Sequence, residues 1–181
     1  MLMHSKQLTK GNIQAELRAY LSQVRKIRPV KQDGSIFLYL LKLKRGSLQR
    51  GPYPDVSMFE AANRILSDIL IFYGVRRLLN KPSLDSVPLP FKKYSVNLGT
   101  SHGYDIEATS KRGYSLIGEA FNVAPDYFPV KMRKTEKKLL KAKANYRLIL
   151  FNKEATHLRK YLMRPSNPNG IIYLPVKVPL Y

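Results

Sequence analysis

The sequence predicts a mixed α/β protein, with a central mixed sheet flanked by helices and an N-terminal helix and strand as an extension. Three observations carry this. From residue 57 onward, apolar patterns run in the order helix, strand, strand, strand, helix, strand, helix, strand. The turn Lys111-Arg112-Gly113 separates two short apolar runs and reads as a hairpin, with Gly free to take positive φ. The 181 residues are 44% hydrophobic and 10% aromatic, which is enough for a core and unlike a disordered chain. On this reading residues 1–50 are the extension and 51–181 the core of one compact domain.

Ile13, Leu17, Tyr20, Leu21 and Val24 recur at helical spacing and predict a helix over 12–24, closed at the latest by Pro29. Gln32-Asp33-Gly34-Ser35 signals a turn. Ile36–Lys44 then reads as a strand that Lys42, Lys44 and Arg45 end with charge, serving as a lysine-guarded edge, a phosphate-contacting arm, or both. After the linker Gly51-Pro-Tyr-Pro54, Ser57 and Glu60 form a capping box ahead of a helix over 58–73. Its apolar face is Phe59, Ala62, Leu66, Ile69, Leu70 and Tyr73, and Gly74 closes it.

Lys81–Pro90 carries three prolines and reads as a loop. Phe91–Leu98 is the first core strand, and Gly99–Gly103 a turn in which His102 is either solvated or a substrate contact. The hairpin spans Tyr104–Ala124. Pro125-Asp126 then leads into a helix over 128–142. Tyr146–Asn152 reads as a buried strand, 153–163 as a helix, 164–170 as a turn and 171–178 as a last strand, which Pro175 places at an edge.

The charge balance is extreme: 32 basic against 12 acidic residues, net +20, pI near 10.2. Such self-repulsion points to a polyanionic partner. Nucleic acid fits better than membrane, because no stretch is long enough to span a bilayer and no lipidation signal appears. The absence of Cys excludes disulfides and Cys-ligated zinc. The first residues lack the apolar segment of a signal peptide, so a cytoplasmic location is expected. The 128–142 helix concentrates Lys131, Arg133, Lys134, Lys137, Lys138 and Lys141 against a single acid, Glu136, and so reads as a phosphate-facing surface. Lys134, Lys137, Lys138 and Lys141, with Arg112 at the hairpin turn and Lys42 and Lys44, are the candidate nucleic-acid contacts. Nucleophile-elbow, P-loop, dinucleotide and His-zinc motifs are all missing.

In so basic a chain, acids inside apolar strands stand out: Asp105 and Glu107 on one hairpin arm, Glu119 on the other. Burying a carboxylate unpaired costs several kcal/mol, on the order of known desolvation penalties, and a divalent cation on oxygen ligands removes that cost. A turn centred near residue 112.5 pairs Asp105 with residue 120, beside Glu119 and Phe121. Glu107 reads either as an acid supporting the site from behind or, preferably, as the partner of Lys111 or Arg112 in an ion pair.

An Asp on one strand, a Gly/Lys turn, then Leu-Ile-Gly-Glu-Ala-Phe on the next resembles the PD-(D/E)XK nuclease superfamily, home of many type II restriction endonucleases. The resemblance implies a restriction endonuclease-like α-β-β-β-α-β core, matched by the first six elements from residue 57. It implies that Asp105 and Glu119 hold Mg²⁺. The position of the family's Lys falls on Phe121; because the family relocates this Lys to nearby elements, its role passes to Lys131. Glu60 is either a helix cap or the extra Glu that some members bring from the first core helix. The implied activity is Mg²⁺-dependent hydrolysis of double-stranded DNA, by a type II restriction enzyme or relative acting as a homodimer on two-fold sites. Two alternatives stay open. One is a non-catalytic basic nucleic-acid-binding protein, which the missing Lys at 121 favours. The other is a junction-resolving nuclease with the same fold and metal.

Overall fold

Strand alternation and helix stripes place apolar side chains on both faces of one sheet. The computed structural model describes residues 4–32, 34–84, 87–99, 103–156, 161 and 170–178. In chain order these form β1 (His4–Thr9), α1 (Ile13–Val24), α2 (Ile36–Arg45), α3 (Met58–Asn80), β2 (Ser83–Leu84), β3 (Val87–Pro88) and β4 (Lys93–Leu98). There follow β5 (Ile106–Thr109), β6 (Ser115–Phe121), α4 (Phe128–Leu140), β7 (Tyr146–Asn152) and β8 (Ile171–Val176). Single 3-10 turns lie at Pro125–Tyr127 and Lys153–Ala155.

The central sheet runs β1-β4-β5-β6-β7-β8, with β2 and β3 as a separate pair. Its β1–β6 half is antiparallel, while β6–β7 and β7–β8 are parallel. The mixed sheet with flanking helices follows the prediction. One face buries Leu8, Val96, Ile106, Leu116, Leu148 and Ile172 against Leu17 and Tyr20 of α1 and Ile65, Phe72 and Val75 of α3. The other buries Ile117, Phe121, Ile149, Phe151 and Tyr173 under Phe128, Met132 and Leu139 of α4. Because β7 is covered on both faces, it reads as an unbroken apolar run, as parallel strands do.

Several elements differ from expectation. Residues 36–44, expected as a strand, form α2: the Ser35 side chain accepts the Leu38 N–H at 3.3 Å, and Lys42, Lys44 and Arg45 sit in its last turn, where cations suit the dipole. Leu and Lys are good helix formers, and among the described residues no strand pairs with this segment. Gly74 does not end α3, which continues to Asn80; a Cβ at Gly74 would lie 2.6 Å from Leu150 Cδ1, so Gly lets helix and sheet approach closely. The 81–90 segment contains the β2–β3 pair. The first core strand begins at Lys93 instead of Phe91.

β1 joins the sheet edge opposite β4, although its only buried apolar side chain is Leu8. Of the helix expected over 153–163, Lys153–Ala155 is a single 3-10 turn. Residues 157–160 and 162–169 lie outside the described residues, as do Asp33 and His102. β8 is an edge strand, as Pro175 required. Among the described residues, no helix is long and apolar enough to cross a membrane.

Candidate active site

Gly113 takes φ +80° and lets the β5–β6 hairpin turn tightly. The register pairs Ile106 with Gly118 and Thr109 with Ser115. One step further places Asp105 opposite Glu119, a shift of one from the expected partner, residue 120. Side chains at odd positions of β6 face α4, so Glu119 shares that face with Ile117 and Phe121. Asp105 Oδ2 accepts the Ala120 N–H at 2.7 Å, which locks the carboxylate across the pair. Burial, reinforced by the facing Glu119, pushes the Asp105 carboxyl up to about 7; the Ala120 N–H, Lys138 and Lys131 oppose the rise.

The ammonium of Lys138 lies 2.6 Å from Glu119 Oε1 and 2.7 Å from the Gly103 carbonyl oxygen, and 5.1 Å from the Tyr104 ring centre. The Glu119 side chain is 13% exposed against 46% for Lys138, so the pair opens to solvent on the lysine side. Lys131 stands 5.8 Å from the centre of the Phe121 ring. The lysine in direct contact with Glu119 is therefore Lys138, two turns along α4 from Lys131. Position 121 cannot offer an ammonium in any register, because Phe121 is buried against Phe128.

These groups line one cleft of about 1100 Å³ between α3 and α4, together with Glu60, Asn63, Arg64, Lys134 and Asn97. Glu60 is both cap partner and cleft residue: its N–H donates to Ser57 Oγ at 3.3 Å, while its carboxylate pairs with Arg64. Among the described residues, no cluster of three or more His, Asp or Glu side chains forms. The two carboxylates at the floor offer oxygen donors only, and an ion held there would complete its shell with water or phosphate oxygens. That donor set suits Mg²⁺, which keeps several waters and binds through one or two carboxylates.

Lys131, Lys134 and Lys138, spaced three and four apart, form one stripe of α4 along the cleft. Lys137 on the same helix and Lys141 at its C-cap are exposed but do not line the cleft. Arg112 sits at the hairpin tip, roughly 20 Å from Asp105 by strand rise. Lys42 and Lys44 are on α2, outside the cleft. Glu107 is exposed and, among the described residues, forms no ion pair with Lys111 or Arg112. Sequence reasoning passed over Asp68, a carboxylate 1% exposed that lines the same cleft. Its signal was there: an acid set between Leu66, Ile69 and Leu70 on a core helix. No protein-family model, curated protein or solved structure matches this chain.

Proposed function

We propose that the chain is a Mg²⁺-dependent endonuclease of the PD-(D/E)XK type, with a restriction endonuclease-like core, cutting double-stranded DNA. The observation that carries this reading is the meeting of Asp105 and Glu119 on the floor of a cleft walled by the lysine stripe of α4. The site also lies at the carboxyl end of β6, where the sheet changes from antiparallel to parallel, a favoured place for ligands in α/β sheets.

In phosphodiester hydrolysis a water oxygen bonds to phosphorus as the bond to the leaving oxygen breaks; the water gives up a proton to solvent and the leaving oxygen takes one up from solvent. Mg²⁺, held by Asp105 and Glu119, supplies charge neutralisation and a more acidic water when bound. Lys138, already at Glu119, is placed to donate to the attacking water or to the phosphoryl oxygen that gains charge. Its geometry gives it the lysine role that sequence assigned to Lys131. Lys131 adds a second positive charge near Asp105, and Lys134 meets a flanking phosphate. Asp105 orients its carboxylate through the Ala120 N–H. Glu60 fixes Arg64 on the opposite wall. Palindromic sites would be cut by a homodimer.

The test is plasmid cleavage in millimolar Mg²⁺ against EDTA. Asp105→Ala and Glu119→Ala are expected to lower cleavage by on the order of 10²-fold or more, and Lys138→Met to cost more than Lys131→Met. Cleavage that persists in both acid variants removes this site. A second reading is favoured by one observation: Glu119 has its own counter-charge in Lys138. It holds the protein to be a DNA binder without catalysis, and tight binding with no cleavage under any metal would establish it.

A further inference from the structure

Gly99, at the end of β4, and Gly103, ahead of β5, are held by different layers of the protein. At one end the Gly99 N–H donates to Asp68 Oδ1 at 3.1 Å. Asp68, from α3, is 1% exposed, and its Oδ2 accepts the Tyr20 hydroxyl at 2.6 Å and the Tyr53 hydroxyl as well. The Tyr53 ring lies so close over Gly99 (φ +64°) that a Cβ there would overlap its edge carbon. At the other end the Gly103 carbonyl accepts from Lys138 at 2.7 Å, and the same ammonium reaches Glu119. Asn97 closes the base, its side chain donating to the Tyr104 carbonyl at 2.7 Å and its N–H to the Asp105 carbonyl at 3.0 Å.

A buried carboxylate with three donors is a costly way to fill a core position that an apolar side chain could occupy. What an apolar residue could not do is reach from α3 to a backbone N–H at the cleft rim. We propose that Asp68 is a positioning residue: through Gly99 it fixes the end of β4, whose Asn97 side chain holds the Tyr104 carbonyl, and thereby the neighbouring Gly103 carbonyl that seats Lys138 beside Glu119. The catalytic consequence rests on the nuclease reading; the anchoring does not.

The test uses full-length Asp68→Ala and Asp68→Asn. Asn keeps the shape but has one acceptor oxygen in place of two, so it cannot serve Gly99 and both hydroxyls in the present arrangement. Hydrogen exchange at the amides of Gly99 and Gly103–Ile106 is expected to quicken about tenfold or more, with β7 amides unchanged. Lys138→Met should quicken exchange near Gly103 while leaving Gly99 protected. In cleavage assays kcat per folded molecule, with the folded fraction measured by circular dichroism, should fall about tenfold with KM within about twofold; a merely structural loss would lower the folded fraction and leave kcat per folded molecule unchanged. If the Ala variant fails to fold, the Asn variant decides. Unchanged exchange at these amides overturns the anchoring. Faster exchange with unaltered kcat overturns the link to Lys138. If the parent protein cuts nothing, the nuclease reading falls while the exchange comparison still decides the anchor.

Discussion

Asp105 carries the strongest consequence at the scale of one residue. Its carboxyl stands near 7 in the folded chain, first because it is buried and then because Glu119 faces it. An unfolded Asp titrates near ~3.9. A folded value above the unfolded one means that folding disfavours the ionised form. Its contribution to stability is intact below about pH 4 and is lost progressively as pH rises to about 7. Asp105→Asn is therefore expected to flatten the pH dependence of the urea midpoint over that window. Asp68, lifted by burial to about 6, leaves a smaller slope of the same sign. On the nuclease reading, Mg²⁺ would also have to displace the Asp105 proton, so its affinity should fall by up to about tenfold per unit below pH 7. Calorimetry in two buffers of different ionisation enthalpy would record the released proton below pH 7 and none above about 8.

The acid pair was legible in the sequence because carboxylates inside apolar strands are rare in so basic a chain. Asp68 was missed because a helix stripe can tolerate an acid at its margin, and only the fold shows Tyr20 and Tyr53 converging on it. The choice between Lys131 and Lys138 was illegible for a related reason. Seven residues apart, they share one stripe, and the crossing of α4 over β6 decides which one touches Glu119.

For whole elements, legibility followed how much apolar surface each one buries. α3, α4, β6 and β7 bury large faces and were found with the right type. α2 buries no residue: Ile36, Phe37, Leu38 and Leu40 are 48–66% exposed, so neither a helical nor a strand period had a buried face to register. β1 offers one buried apolar side chain and failed to signal for lack of alternation. At Gly74 a helix-ending rule lost to packing. Gly74→Ala gains up to about 1 kcal/mol of helix propensity. It also drives a Cβ to within 2.6 Å of Leu150, itself fully buried and unable to swing aside. The expected outcome is a net loss of roughly 1–2 kcal/mol in urea unfolding, the overpacking cost exceeding the propensity gain.

On the scale of the whole molecule, net charge dominates. A chain at +20 that places Lys131, Lys134 and Lys138 along one cleft should bind DNA with a steep salt dependence. Lys134→Ala is expected to reduce the slope of log K against log salt by about 0.9, and Arg112→Ala, at the far hairpin tip, to change it little. Fluorescence anisotropy across a salt series on one duplex measures both slopes.

The sheet's change of direction at β6 has a temporal consequence. The antiparallel hairpin closes between near neighbours in sequence, so Asp105 and Glu119 face each other early. The parallel pairing with β7 waits for α4 to cross over, and such non-local steps are slow. On this order of events a nascent chain carries two opposed acids before their lysine arrives, and, on the nuclease reading, any capacity to cut would be switched on by the last stage of folding.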